Sequence, residues 1–563
     1  MAERDEVPAA PTDEAARVVG ARGPAPVIMV QGSMSGVGKS VIAAGLCRIL
    51  RRRGFRVAPF KAQNMSLNAA VTLHGEEIAR STAVQAAAAG IEPTVDMNPV
   101  LLKPEAEMRS QVILRGRVAG TITARDYFGR KRDFWPIVAE SLDRLRATYD
   151  VIVAEGAGSP AEMNLRDRDI VNMRVARYAG AAALLVGDID RGGVFAQLIG
   201  TLDLLPPEER ALVRGLIVNR FWGDPALFQD GVEFIEHRTG LPVFGVVPAV
   251  RDIGLAEEDS AVLDSPRNRS RDGSPDQSRA DSSDQTLRIA VVRLPCMANF
   301  DDFGPLERLA GVELTYVDRP EELTGADLVI LPGTKSTIAD LAAVRARGLA
   351  DALVAAHGRE VPIMGICGGF QMLGQAIHDP DQVESSAGSI PGLALLPHQT
   401  IFEREKQTRQ VRGRLEGGIG PFAAARGTEI AGYESHAGRT QAGESLVLTA
   451  PIRLIDRAGT SIDELDGALS DDGIVFGTYL HGLFDNQVIR DALVSWLRER
   501  RGLTFPVSVV SLPSAPSPDP PVIFRDSTRA VDPHDRWADA LEAALDLPLL
   551  LARCGISYAR EAR

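Results

Sequence analysis

The run Val361-Pro362-Ile363-Met364-Gly365-Ile366-Cys367-Gly368-Gly369-Phe370-Gln371-Met372-Leu373 passes from an apolar strand pattern through a small-residue turn into a helix-like stretch. A strand that bends sharply into a helix holds the central side chain strained and exposed, and flanking glycines let the backbone turn and a substrate approach. Cys367 therefore reads as a nucleophile at an elbow. The helix start behind it offers a positive dipole end and free backbone N–H groups, which favour a thiolate and stabilise an oxyanion.

The same strand-and-helix rhythm extends in both directions. Upstream, Leu287-Arg288-Ile289-Ala290-Val291-Val292 and Leu328-Val329-Ile330-Leu331 are β-type runs, and the second leads into Pro332-Gly333-Thr334-Lys335-Ser336. The Gly333 N–H is expected to pair with that of Gly368 as oxyanion donors. Downstream, Phe476-Gly477-Thr478-Tyr479-Leu480 reads as a strand that delivers His481 to a turn at Gly482. His481 is the leading base for Cys367, and His436 in Tyr433-Glu434-Ser435-His436 is the alternative. His357, His378 and His398 lie in polar surroundings where solvated side chains are expected.

An earlier α/β rhythm begins at Val27-Ile28-Met29-Val30 and continues through Arg56 to Phe60, Val151 to Ala154, Ala183 to Val186, Gly215 to Val218 and Val243 to Val247. Strands alternating with helical patterns predict a parallel sheet. Between the two rhythms, residues 257–286 are polar and rich in Ser, Asp and Arg, a composition that buries too little apolar surface to order itself. The expected organisation is a disordered tail over 1–24, a first α/β domain over 25–256, a disordered linker over 257–286, a second α/β domain over 287–505, and a Pro-rich loop with a C-terminal helix over 506–563.

The first strand is followed by Gly32-Ser33-Met34-Ser35-Gly36-Val37-Gly38-Lys39-Ser40 and then the helix-like Val41 to Leu50. Backbone N–H groups of such a loop cradle phosphates, Lys39 reaches the β and γ oxygens, and the Ser40 hydroxyl suits Mg²⁺. Glu155, at the end of Val151 to Ala154, places a carboxylate at the carboxyl edge of the sheet and is the second Mg²⁺ ligand expected. Polar clusters at the same edge, with Lys61, Asn64 and Asn68 in one and Asp188, Asp190 and Arg191 in another, are expected to line an acceptor pocket. Asn219 is expected beside a nucleobase.

With 563 residues and a net charge of −13, the chain is too long for one core and carries no basic groove for nucleic acid. Its four cysteines lack paired or metal-type spacing, and there is no signal-like or membrane-spanning run, so a cytoplasmic protein without disulfides is expected.

Gly-Ile-Cys-Gly-Gly, the preceding Leu-Pro-Gly turn and the later histidine resemble the class I glutamine amidotransferases. In that family the cysteine attacks the glutamine side-chain amide, the histidine protonates departing ammonia, and water hydrolyses the thioester. The family's glutamate two residues after the histidine is here Leu483, so an orienting partner must come from elsewhere; Glu434 is one option. Five residues separate Gly32 and Gly38 rather than the usual four, a variant that resembles the dethiobiotin-synthetase-like loop.

This domain order resembles the cobyric acid and cobyrinic acid a,c-diamide synthases of cobalamin biosynthesis. The runs Pro59 to Asn68, Asn98 to Pro104, Gly187 to Gly193 and Gly477 to Gly482 resemble the cobyric acid synthase branch. The resemblance implies ATP- and glutamine-dependent amidation of corrinoid carboxylates, with Mg²⁺ accompanying ATP and no tightly bound organic cofactor; the acidic, aromatic-poor composition adds the expectation of no nucleic-acid or membrane partner. A diamide synthase or another amide ligase of this architecture is the near alternative, and a ParA-like ATP switch fused to an inactive amidotransferase the distant one.

Overall fold

The computed structural model describes residues 23–105, 109–123, 126, 129, 131–250, 253–255, 285–442, 449–503 and 532–557. Most of the expected N-terminal tail, the linker and the Pro-rich segment lie outside these residues. The chain forms two α/β bodies, each built on a sheet of six strands.

The first sheet is wholly parallel, in the order Val243–Pro248, Val213–Phe221, Ala182–Asp188, Val27–Gly32, Val151–Glu155, Val57–Phe60. All six residues of the central strand Val27–Gly32 are buried, as expected where helices cover both faces of a parallel sheet. Register pairs Val30 with Glu155, Gly32 with Val186, and Asp188 with Asn219. The phosphate loop, the acidic residue and the polar clusters thus share the carboxyl edge of one sheet, where open α/β folds bind ligands.

The second sheet runs Val312–Val317, Leu287–Val292, Leu328–Leu331, Ile363–Ile366, Val475–Thr478, Ala468–Leu469, and only the last pair is antiparallel. The elbow cysteine lies at the end of Ile363–Ile366, and the neighbouring strand Val475–Thr478 leads to His481. Two largely antiparallel sheets were not foreseen. A third sheet centres on the long strand His398–Leu415, which pairs with Glu429–Ala442 and with Ile452–Arg457. A smaller one joins Gln63–Met65, Val100–Pro104, Arg109–Leu114 and Arg117–Thr123.

The C-terminal residues return to the first domain. Helix Pro533–Ala544 packs on helix Lys39–Arg52, which follows the phosphate loop: Arg48 pairs with Asp535 at 2.6 Å, and Trp537 Nε1 donates to the Val41 carbonyl at 2.6 Å. Gly45 makes room for this approach, since a Cβ there would lie 2.5 Å from Leu541. Between the two bodies, the hairpin Ala69–Val71 and Glu77–Ala79 of the first domain abuts the second. Gln410 donates to the Val71 carbonyl at 3.0 Å, and Lys406 pairs with Glu77 at 2.7 Å.

Candidate active sites

At the elbow, Cys367 has φ 50° and ψ −109°, a conformation rarely adopted by a residue with a Cβ and characteristic of a strained functional position. The small neighbours are required sterically. A Cβ on Gly369 would lie 2.0 Å from the Leu331 carbonyl oxygen, and one on Gly368 would lie 2.7 Å from Thr334. Gly333 lies against the His481 ring, where a Cβ would meet Cε1 at 2.9 Å. The turn that precedes the elbow is therefore drawn up to the base and the nucleophile.

His481 is buried and lines the same cavity as Cys367, whose sulfur acts on it electrostatically, and its Nδ1 lies 2.7 Å from Asp302 Oδ2. A carboxylate only accepts, so Nδ1 carries the proton and Nε2 is left for the sulfur. The second Asp302 oxygen accepts from the Gly482 N–H at 3.0 Å, and the Tyr433 ring stacks on the imidazole at 5.1 Å. Burial alone would lower the His481 pKa, but the Asp302 carboxylate and the Cys367 sulfur outweigh it and raise it to about 10. Cys367, His481 and Asp302 thus form a candidate cysteine–histidine–aspartate triad.

The candidate orienting acid is thus Asp302, from the loop after strand Leu287–Val292. Glu434 does not reach the base, because its carboxylate is held by Arg457 at 2.9 Å and faces His436 at 3.7 Å. His436 stacks on Tyr479 and directs Nδ1 to the Gly438 carbonyl at 2.8 Å, which leaves His481 as the candidate base for Cys367. Leu483 is core. His398, expected to be solvated, is instead fully buried against the Phe370 ring with Nε2 3.1 Å from the Phe370 carbonyl; burial pushes it down to about 4 and keeps it neutral.

A cavity of about 430 Å³ opens on Cys367 and His481, a size suited to a small molecule. Its wall includes Gln371 and Ser435 of the second domain together with Glu77 and Lys103 of the first. Glu77 accepts from Ser435 Oγ at 2.9 Å and pairs with Lys103 at 2.8 Å, while Cys367 Sγ approaches the Ser435 carbonyl at 3.6 Å. Burial works against the Glu77 carboxylate, yet the Lys103 and Lys406 ammonium groups hold its pKa well below the usual range. The first domain therefore forms part of the nucleophile's chamber.

At the phosphate loop, Lys39 Nζ donates to the Met34 carbonyl at 2.9 Å and the Gly158 carbonyl at 3.2 Å. Ser40 Oγ donates to Glu155 Oε1 at 2.8 Å, and Lys61 pairs with the same oxygen at 2.9 Å. Burial opposes the Glu155 charge, but Lys61 with the Ser40 and Gln85 hydrogen bonds keeps its pKa lowered. The loop is a cradle that a side chain would fill: a Cβ on Gly32 would lie 2.9 Å from Lys39 Nζ, and one on Gly38 2.3 Å from Asn219 Nδ2. Gly36 and Gly38 both have positive φ, which glycine adopts without a Cβ penalty, and Ser35 precedes them in the same turn.

Several of the expected binding residues are placed by specific contacts. Asn219 supports the loop by donating to the Val37 carbonyl at 2.8 Å. Lys61 joins the phosphate site through Glu155. Asn64 is buried in the strand Gln63–Met65, and Asn68 turns to the second domain, accepting from the Phe300 N–H at 3.1 Å. Asp188 is buried and pairs with Arg220 at 2.9 Å, Asp190 accepts from Trp222 Nε1 at 2.6 Å, and Arg191 stays half exposed, 3.9 Å from Asp188.

Residues 288–489 match the family described as CobB/CobQ-like glutamine amidotransferase domain, and residues 28–262 that described as CobQ/CobB/MinD/ParA nucleotide binding domain. The cobyric acid synthase of Chloroflexus aurantiacus is 51% identical over 94% of this chain and 99% of its own. The chain belongs to the cobyric acid synthase family. The cobyric acid synthase of Sorangium cellulosum is 49% identical over 93% of this chain and 97% of its own, and that of Chloroflexus aggregans 54% identical over 84% and 92%. A solved PurLQS chain from Thermotoga maritima aligns with 38% of this chain and 98% of its own, at 25% identity and a TM-score of 0.29. Family membership fits the two halves: a nucleotide-binding synthetase domain with its phosphate loop, and an amidotransferase domain with its elbow.

Proposed function

We propose that the chain uses ATP and glutamine to amidate the b, d, e and g carboxylates of adenosylcobyrinic acid a,c-diamide, as a cobyric acid synthase. The observation that carries this reading is the presence, in one chain related over most of its length to cobyric acid synthases, of a Cys367–His481–Asp302 triad and a separate phosphate loop. Forming an amide from a carboxylate and ammonia in water requires an activated acyl group. The synthetase domain supplies activation and the amidotransferase domain supplies nitrogen.

In the amidotransferase domain, the Cys367 sulfur attacks the side-chain amide carbon of glutamine while the oxyanion is met by the N–H groups of Gly333 and Gly368. His481 gives its Nε2 proton to the departing nitrogen, so ammonia leaves and a glutamyl thioester remains. Water, deprotonated by His481, then cleaves the thioester, releasing glutamate and restoring the thiol. Asp302 holds the imidazole in the orientation that serves both steps.

In the synthetase domain, Lys39 and the loop N–H groups bind the ATP phosphates, and transfer of the γ-phosphoryl to the substrate carboxylate yields ADP and an acyl phosphate, whose carbonyl carbon ammonia attacks, forming the amide and expelling inorganic phosphate. Ser40 and Glu155 are the residues that would hold Mg²⁺, which commonly takes one or two carboxylates and completes its shell with phosphate and water oxygens. That ion would neutralise charge on the transferring group. Lys61, Asn64, Asp188, Asp190 and Arg191 are proposed to face the acceptor, Lys61 from its position beside Glu155 at the phosphate site. Similarity to cobyric acid synthases over most of the chain favours this reading over a diamide synthase, and the Cys367–His481–Asp302 arrangement favours it over an inactive amidotransferase.

The test is Cys367→Ser. The variant is expected to lose glutamine-dependent amidation while keeping amidation driven by ammonium salts. Loss of both by a folded variant would refute the division of labour between the two sites.

A further inference from the structure

The amidotransferase loop Asn299-Phe300-Asp301-Asp302 carries the acid that orients His481, yet three of its four residues are held from the synthetase domain. The Ala69 N–H donates to Asn299 Oδ1 at 3.1 Å. The Phe300 N–H donates to Asn68 Oδ1 at 3.1 Å. Arg80 Nε lies 2.6 Å from Asp301 Oδ2, with side chains 11% and 6% exposed. Asn299 itself has φ 53°, in the left-handed region that asparagine adopts more readily than most residues with a Cβ. Its Nδ2 lies 3.4 Å from both ring nitrogens of His481.

We propose that Asn68 and Arg80 are positioning residues of the glutaminase reaction, acting across the domain boundary through the 299–302 loop. The inference rests on the two-site reading above. Charge supplies the first reason. Asp301 and Asp302 are adjacent buried carboxylates, and a buried anion without a counter-charge is strongly unfavourable. Arg80 provides that counter-charge, so that the loop can keep both acids buried and Asp302 aimed at His481.

Rigidity supplies the second. Arg80 opens the helix Arg80–Ala89, whose start is fixed by Asn98: Oδ1 accepts from the Ala79 N–H at 3.0 Å, and Nδ2 donates to the Lys61 carbonyl at 2.9 Å. One further turn along, Gln85 donates to Glu155 Oε2 at 2.5 Å and to the Ser40 carbonyl at 3.3 Å. At about 1.5 Å rise per residue, the two side chains are roughly 7.5 Å apart along the axis. A short, anchored helix thus reaches the triad loop at one end and the phosphate site in its middle, and a group mounted on such an element is held more closely than one on a loop.

The experiment uses the full chain with Arg80→Met, Arg80→Lys, Asn68→Ala, Asp301→Asn and the Arg80→Met/Asp301→Asn double variant, each checked for folding by thermal unfolding. Arg80→Met and Asn68→Ala are expected to lower glutaminase kcat at least about tenfold, the scale of a misplaced catalytic group, with KM for glutamine little changed. Ammonia-driven amidation by Arg80→Met should stay within about twofold of the parent, Arg80→Lys should recover part of the loss, and the double variant should be no worse than Arg80→Met alone, as coupled residues behave. Unchanged glutaminase kcat in folded Arg80→Met and Asn68→Ala, or an equal fall of both activities in Arg80→Met, would overturn the proposal. Glutamine hydrolysis by Cys367→Ser would instead overturn the two-site reading on which it rests.

Discussion

Asp302 Oδ2 lies 2.7 Å from His481 Nδ1 although the two residues are 179 positions apart, and this pair supplies the third member of the proposed triad, whose usual glutamate position holds Leu483. Its removal should cost catalysis far more than folding. Asp302→Asn is expected to reduce glutaminase kcat by about 10²- to 10⁴-fold through loss of the correct tautomer and orientation. Steady-state glutamate release checks this, and a loss of less than about threefold would assign the orienting role elsewhere.

The same pair sets a pH dependence. Against burial, Asp302 and Cys367 raise His481 to about 10, so the imidazolium persists to higher pH than an isolated histidine and is lost only as pH rises through that value. The alkaline limb of glutaminase kcat/KM in the parent should therefore fall near pH 10. In Asp302→Asn the largest raising influence is gone and the limb should move down toward the ordinary histidine range near about 6.5. A pH profile of residual activity with an unmoved limb would contradict the assignment.

At the other site, Lys39→Ala should abolish amidation with either nitrogen source, because both donors need the activated carboxylate. Amidation assays with glutamine and with ammonium salts check this. Normal amidation with either donor would remove the phosphate loop from the reaction.

The C-terminal helix gives a stability prediction. Trp537 is buried on helix Lys39–Arg52 and its indole N–H is bonded to Val41. Trp537→Ala removes a large core side chain and the indole hydrogen bond to Val41, so a loss of about 3–5 kcal/mol is expected by chemical denaturation. A loss below about 1 kcal/mol would show that this helix contributes little to the synthetase core.

The parts of this protein written in local patterns were legible before its structure. The parallel strands, the phosphate loop and the elbow each announce themselves within a dozen residues, since apolar runs and glycine spacing are short-range signals. What escaped were partners joined only by tertiary contact. Asp302 and Arg80 lie in segments with no motif of their own, and Glu77 meets Ser435 across 358 positions. Glu434 was the nearer acid in sequence terms, but Arg457 occupies it. His398 looked solvated because its neighbours in sequence are polar or turn-like, whereas the strand it opens packs on Phe370. One long-range signal was present: Arg48, Arg52 and Arg53 on one helix match Asp535, Asp539 and Glu542 on another, a complementarity visible only once both helices are paired.

The central claim is that nitrogen released at Cys367 becomes the amide made at the phosphate site. The most direct test is mass spectrometry of the corrinoid product formed from ATP, Mg²⁺, adenosylcobyrinic acid a,c-diamide and glutamine labelled with nitrogen-15 in its side-chain amide. The account predicts successive acid-to-amide conversions at the b, d, e and g positions, each carrying the label, and none with Cys367→Ser on the same glutamine. Unlabelled amides, or no acid-to-amide conversion by the folded parent protein, would contradict it.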